Sequence, residues 1–341
     1  MKESSRSRFA AIDVGSHTIR LLIAEADGEK ELFPVRAERR ITRLAADFQD
    51  GESLKEGPVR RSITVLREYA GLMKEYGVSA VTCGATGVIR RAVNGGGFLH
   101  EAAEATGVKG RIISEKAEAF LSAKGVLSVL PSVEGAAVTF DLGGSSTEFL
   151  LLDTTRPDPT WSTSVFIGAA TTTERFLKCS PCDEISLQKA SRAIRETLAP
   201  VLSELNLLLG AKGGVPVPHQ LVGTAGTVTT LAAMFSRMTK YEPFKVNGTL
   251  LTREWLSGTI ETLARLSLAA RRGIPGLEPG REDIILGGAL IVREILTGLG
   301  AVSLTVTDGG FLEGLLLDLL EKQYGWPQTL RTRLTWRSLT G

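Results

Sequence analysis

The stretch AAIDVGSHTIRLLIAE, residues 10–25, returns in its grammar 128 positions later as AVTFDLGGSSTEFLLLD, residues 137–153. Each copy is an apolar run, an aspartate, a short Gly/Ser turn and a second apolar run. Apolar runs of a few residues on either side of a short Gly-containing turn predict a β-hairpin buried in a sheet. Asp13 and Asp141 fall at the same place, the end of the first strand. A repeat at this separation reads as a duplicated supersecondary unit. In a chain of 341 residues, about two domains by length, it predicts two similar α/β domains, each opening with the hairpin and facing the other across a cleft.

Outward from the hairpins the periodicity is mixed. Val59, Ile63, Leu66, Tyr69, Ala70 and Met73 recur at helical spacing and predict a helix over 56–76, followed by a strand at 78–83. Helices at 98–106 and 115–129 flank a strand at 110–113. After the second hairpin a loop begins at Asp158 and Pro159. Helices at 169–178, 184–209 and 252–269 follow, with a strand at 220–223 between them. A strand at 302–307 leads into a helix at 309–322.

Composition sets bounds on function. Hydrophobic residues at 43% and charged residues at 23% are ordinary for a globular chain. Glycine is the exception, with 37 residues where an average content of roughly 7% would give about 24. Apart from Gly95 to Gly97, read as loop, there is no Gly-X-Y period and no Gly/Ser run, which excludes collagen and linker classes and leaves single glycines at turns. Lys and Arg number 40 against 38 Asp and Glu, so a polybasic nucleic-acid binder is excluded and any anion site must be local. Asp13, His17 and Arg20 interrupt the apolar stretch after Lys2, Arg6 and Arg8. No window approaches a membrane span, and the expected setting is cytoplasmic, with no membrane and no nucleic acid as partner. Three cysteines make no disulfide framework. Cys179 and Cys182 lack further ligands, with His100 and His219 isolated, and read as a loop entering a helix capped by Asp183.

A Gly/Ser turn between buried strands presents several backbone N–H groups with no side chain in the way, the means of cradling a phosphate without cationic side chains. An aspartate beside it repels phosphate unless a divalent cation intervenes. This is the reading of Asp13 with Gly15 and Ser16, and of Asp141 with Gly143, Gly144, Ser145 and Ser146. Glu148, on the second strand of the second hairpin, is placed to ligate that metal or to accept a proton from water. A third glycine turn runs through Gly223, Thr224, Ala225 and Gly226 into a helix with Thr227 near its start, an anion site by its free N–H groups. A fourth holds Gly309 and Gly310. Arg20, Arg90 and Arg91 offer guanidinium forks, and His17 a ring N–H. There is no P-loop, no G-x-G-x-x-G after the first strand, no H-E-x-x-H and no G-x-S-x-G elbow.

The two hairpins together with Gly223 to Thr227 resemble the actin, sugar kinase and Hsp70 superfamily. Within it the chain resembles the exopolyphosphatase and guanosine pentaphosphate phosphatase (Ppx/GppA) family from about residue 9 to 320. Supporting stretches are Thr42-Arg43-Leu44, ATGVIRRAVN (85–94), IISEKAEAFLSAKGV (112–126), GREDIILGGALIVREIL (280–296) and Asp308 to Gly314. The resemblance implies two actin-like (ribonuclease H-like) domains, at 8–129 and 130–305. A C-terminal helix at 306–324 would pack back on the first, followed by a tail at 325–341. It implies release of terminal phosphate from polyphosphate or guanosine pentaphosphate with Mg²⁺ or Mn²⁺. By the same resemblance Asp13, Asp141 and Glu148 hold metal and water, and Glu118, otherwise an ordinary helix-face glutamate, is the general base. The glycine turns, with Arg20 and Arg90, hold phosphates. The chain departs from the family pattern at His17, Ser145, Lys116, Ala117, Gly309 and Leu312, which leaves the choice between the two substrates open. Other readings of the same cleft are a sugar-kinase-like ATP phosphotransferase and a non-catalytic polyphosphate or alarmone binder. A homodimer is one assembly compatible with the family.

Overall fold

The computed structural model describes residues 7–26, 32–49, 51–130, 135–153, 159–210 and 220–325. Asp158, His219 and the tail beyond Gly325 lie outside the described residues. The chain divides into two compact units: Met1–Val129 with Gly309–Gly341, and Leu130–Asp308.

Phe9 to Val14 and Leu21 to Ala24 are buried on both faces, as strands inside a sheet covered by helices must be. They form the hairpin β1 (Ser7–Val14) and β2 (Thr18–Ala26). The following β3 (Leu32–Ile41) extends the pair antiparallel. Next come α1 (Glu56–Glu75), β4 (Val78–Ala85), α2 (Val88–Arg91), α3 (Gly95–Thr106), β5 (Gly110–Ile112) and α4 (Glu115–Val129). β4 and β5 add parallel strands, giving the order β3-β2-β1-β4-β5. Alternation sorts the side chains of β1: Ala10, Ile12 and Val14 pack with Ile63, Leu66, Tyr69 and Phe98 of α1 and α3. Phe9 and Ala11 pack with Leu315, Leu316 and Leu319 of the last helix. Asp13 continues this second series.

The second unit repeats the plan with β6 (Ala136–Leu142), β7 (Thr147–Asp153) and β8 (Trp161–Val165), then α5 (Ala169–Phe176), α6 (Glu184–Leu208), β9 (Gln220–Thr224) and α7 (Ala225–Phe235). It closes with α8 (Pro243–Val246), β10 (Leu250–Thr252), α9 (Arg253–Arg265), α10 (Leu268–Arg271), α11 (Ile285–Gly298) and β11 (Ser303–Val306). The sheet order is β10-β11-β9-β6-β7-β8. Phe140 and Phe149 sit in its core with Ile194, Leu198, Leu231, Ile291 and Ile295. The final helix α12 (Phe311–Tyr324) belongs to the first unit.

Several expectations are corrected. The helix read over 252–269 breaks at Leu266 and Ser267, where the Ser267 hydroxyl caps α10. Gly95 to Gly97, read as loop, form the first turn of α3, and a Cβ at Gly95 would run into the Ile89 carbonyl. β3 and β8 were not foreseen, because as outer strands with exposed residues they lack a continuous apolar run. Gly309 is a packing residue, since a Cβ there would strike Val129, and the Gly310 N–H is occupied by Glu313 Oε2 at 2.7 Å, so the pair is not an anion cradle. Cys179 and Cys182, with Cα atoms 4.9 Å apart, are joined in a local disulfide between α5 and α6, where no disulfide was expected. Asp183 caps α6 through the Ser186 N–H.

α4 and α12 approach so closely that a Cβ at Gly125 would overlap the Gly310 carbonyl and lie 2.9 Å from the Gly314 nitrogen. Gly71, exposed in α1, has nothing near its absent side chain. Opposite outcomes follow for one substitution type. Gly71→Ala raises stability by up to about 1 kcal/mol through helix propensity. Gly125→Ala lowers it by about 1–3 kcal/mol, because backbone overlap outweighs the same propensity gain. Urea unfolding of both variants measures the two signs.

Candidate active site

Both hairpin turns are closed by the same bond: Gly15 N–H donates to the Thr18 carbonyl at 3.1 Å, and Gly143 N–H to the Ser146 carbonyl at 3.0 Å. The segment beyond each third strand then occupies the turn carbonyls. In the first unit the N–H groups of Thr42 and Arg43 donate to the His17 carbonyl at 3.0 and 2.9 Å, and Ala45 N–H to that of Ser16 at 2.9 Å. In the second, the first amides of α5 do the same: Ala169 to the Gly143 carbonyl at 3.0 Å, Ala170 and Thr171 to that of Gly144 at 2.8 and 3.1 Å. The N–H groups of Ser16, Gly144 and Ser145 make no backbone hydrogen bond among the described residues, and so remain as donors for an anion.

Beside each turn, cross-strand partners line up on one face. In the first sheet Asp13 is opposite Arg20, Arg20 opposite Arg39, and Asp13 opposite Gly84 on its other side. In the second, Asp141 is opposite Glu148, Glu148 opposite Ser164, and Asp141 opposite Thr224. Directly opposed residues have Cβ atoms about 4.5–5.5 Å apart, and like charges so placed repel.

The first row neutralises itself. Arg20 Nη2 and Nε lie 2.8 and 3.0 Å from Asp13 Oδ2. Asp13 is 7% exposed; burial pushes its carboxyl upward, and the Arg20 guanidinium pulls against that rise. The second row sets two carboxylates side by side, and Ser164 Oγ donates to Glu148 Oε1 at 2.9 Å. Among the described residues no three or more His, Cys, Asp or Glu side chains gather at one point. A pair of carboxylates with oxygen neighbours fits Mg²⁺, which takes one or two carboxylates and keeps several waters. That pair fits a divalent cation better than Asp13, whose Oδ2 is already shared with a guanidinium.

Glu118, in the first turn of α4, is brought to Arg90 of α2. Arg90 Nη1 donates to Glu118 Oε2 and to the Ile113 carbonyl, both at 2.9 Å, and Nη2 reaches Glu115 Oε1 at 3.3 Å. α2 is itself pinned to the first turn, since Ser16 Oγ accepts from Val88 N–H at 2.9 Å. Gly87, at φ 56°, permits this approach: its backbone is left-handed and a Cβ there would meet Ser16 Oγ. His17 lies within the same turn, half-buried.

At the third glycine turn β9 runs directly into α7, with Thr227 in the first turn of the helix as the sequence predicts. Gly223 lies inside β9, where a Cβ would press on Phe140 and Val228, and its carbonyl accepts from Thr307 N–H at 3.0 Å. Thr227 is buried inside α7 against Gly288. The turn proper is Thr224, Ala225 and Gly226, with Ala225 at φ 71°. The guanidinium of Arg281, 5% exposed and paired with Glu278, fills the space beside Gly226.

Residues 22–323 match the model of the Ppx/GppA phosphatase family. The chain belongs to this family. It is 32% identical over 325 residues to exopolyphosphatase 2 of Mycobacterium tuberculosis, covering 92% of this chain and 98% of that protein. The solved structure of the Aquifex aeolicus Ppx/GppA family member is 30% identical with a TM-score of 0.76, over 93% of this chain and 99% of that one. An exopolyphosphatase structure from Cytophaga hutchinsonii, 22% identical over 93% and 98% of the two chains, shares the fold at a TM-score of 0.81.

Membership of the Ppx/GppA family makes the chain a phosphohydrolase of two actin-like domains. Three polar residues near the family's motifs were missed in the sequence reading: Glu115, Ser164 and Arg281. Arg281 sits in the quoted stretch 280–296, and only its packing on Gly226 distinguishes it there. Ser164 carried no signal at all, because its strand was not foreseen.

The Asp13–Arg20 pair yields a stability test. Arg20→Met leaves a buried carboxylate unpaired and lowers stability by about 3 kcal/mol near neutral pH. With the opposing guanidinium gone, burial raises the Asp13 carboxyl unopposed. A group whose folded pKa exceeds its unfolded value contributes stability while protonated and loses it as pH rises. The deficit of Arg20→Met is therefore larger at pH 8 than at pH 5, and Asp13→Asn in the same chain recovers much of it; chemical denaturation at both pH values measures this.

Proposed function

We propose that this chain is an exopolyphosphatase-type acid anhydride hydrolase, releasing terminal phosphate from inorganic polyphosphate, with guanosine pentaphosphate as the second substrate. The observation that carries this reading is the Asp141 and Glu148 pair beside a turn with open backbone amides, in a member of a phosphatase family. The name of the M. tuberculosis relative supports polyphosphate as the chain substrate.

In this reading the amides of Gly144 and Ser145 hold oxygens of the terminal phosphate, where preformed donors stabilise developing charge without reorganising. Mg²⁺ or Mn²⁺ held by Asp141 and Glu148 would offset the negative charge of the phosphoryl oxygens. Arg90 fixes the carboxylate of Glu118, and Arg20, held on Asp13, offers a guanidinium edge to the phosphate. Glu118 takes the proton of the attacking water as its oxygen bonds to phosphorus. The bond from phosphorus to the bridging oxygen breaks, and the shortened chain leaves with that oxygen. The ATP phosphotransferase reading is set aside, since the matched family and relatives are phosphatases.

Phosphate release from polyphosphate and from guanosine pentaphosphate, assayed with Mg²⁺ or Mn²⁺, tests the proposal. Wild type is expected to turn over at least one of them. Glu118→Gln and Asp141→Asn are expected to lose about 10² or more in kcat. No release from either substrate, or wild-type rates in both variants, would overturn it.

A further inference from the structure

We infer that Ser164 is a positioning residue for Glu148: its hydroxyl sets the orientation of the carboxylate that serves the divalent cation and the reacting water. This rests on the phosphohydrolase reading above and adds to it a residue outside the hairpins.

Glu148 stands between two cross-strand neighbours, Asp141 on β6 and Ser164 on β8. Its carboxylate is repelled by the first and held by the second, with Ser164 Oγ donating to Oε1 at 2.9 Å. A glutamate side chain has several rotatable bonds, and a hydroxyl bond to one oxygen removes most of that freedom, as outer partners of metal ligands commonly do. β8 is the outer strand of its sheet, and Ser164 is exposed. Neither packing nor strand propensity calls for serine there, since β-branched residues fit an outer strand better. The first sheet supplies the internal comparison. At the matching place on its third strand stands Arg39, opposite Arg20, and there the polar row holds a guanidinium on an aspartate. The fold thus accepts different residues at this register. A small hydroxyl donor appears in the row where a carboxylate must be aimed beside a second carboxylate.

The test compares Ser164→Val and Ser164→Thr, which have nearly the same shape and differ by the hydroxyl. Mn²⁺ binding to the substrate-free protein is followed by the electron paramagnetic resonance signal of free Mn²⁺, alongside kcat and KM on polyphosphate and the melting temperature. Ser164→Val is expected to bind Mn²⁺ about tenfold more weakly and to lose about tenfold in kcat, with KM little changed. Ser164→Thr is expected to restore both, and both variants to melt with wild type. Wild-type Mn²⁺ affinity and kcat in Ser164→Val, with wild type active, would overturn this inference alone. A wild type that neither binds Mn²⁺ nor hydrolyses polyphosphate would overturn the functional reading and this inference with it.

Discussion

At each hairpin turn, amides from the segment beyond the third strand occupy turn carbonyls: those of Ser16 and His17 in the first unit, of Gly143 and Gly144 in the second. A turn between buried strands has both donors and acceptors to satisfy. In each unit the segment after the third strand takes the acceptors: Thr42, Arg43 and Ala45 in the first, the start of α5 in the second. What remains beside the aspartate is a set of amides, so the turn presents partial positive charge although the chain as a whole is nearly neutral. Unpaired backbone N–H dipoles in a turn can attract an anion without a basic surface.

The duplicated hairpin is not duplicated chemistry. Position for position, Arg20 of the first copy corresponds to Glu148 of the second, since both stand opposite the turn's aspartate. One change of charge makes the first row an ion pair, Arg20 on Asp13, and sets two carboxylates opposite each other in the second. Like charges face each other in the second row, whereas in the first the guanidinium lies on the carboxylate. The same strand register thereby carries opposite charge patterns in the two units. The same logic reaches the third strands, where Arg39 and Ser164 differ in kind as their rows do.

The hairpins, the aspartates and Glu148 were legible because apolar runs bounding a glycine turn are a local pattern, and its repetition made it specific. The excess of glycine was legible as a count but not as a set of roles. Gly15 and Gly143 do lie in turns, whereas Gly223 and Gly309 are demanded by close packing, which depends on residues far away in the chain. The helix break at Leu266 rests on a local cap by Ser267, and the strands β3 and β8 lack an apolar run because they lie at sheet edges. An outer strand with alternating exposure is stabilised by its neighbour's backbone rather than by an apolar signature of its own.

By itself the sequence determined the two α/β halves, the family, and the place of Asp13, Asp141 and Glu148 near the strand ends, because short local patterns recur in order along the chain. Only the tertiary structure decided the partners: Arg20 on Asp13, Arg90 on Glu118, Ser164 on Glu148, and Arg281 against Gly226. A side chain's charge is written in its own residue. Whether that charge is neutralised, aimed or left open is set by strand register and helix packing, and those are properties of the folded chain.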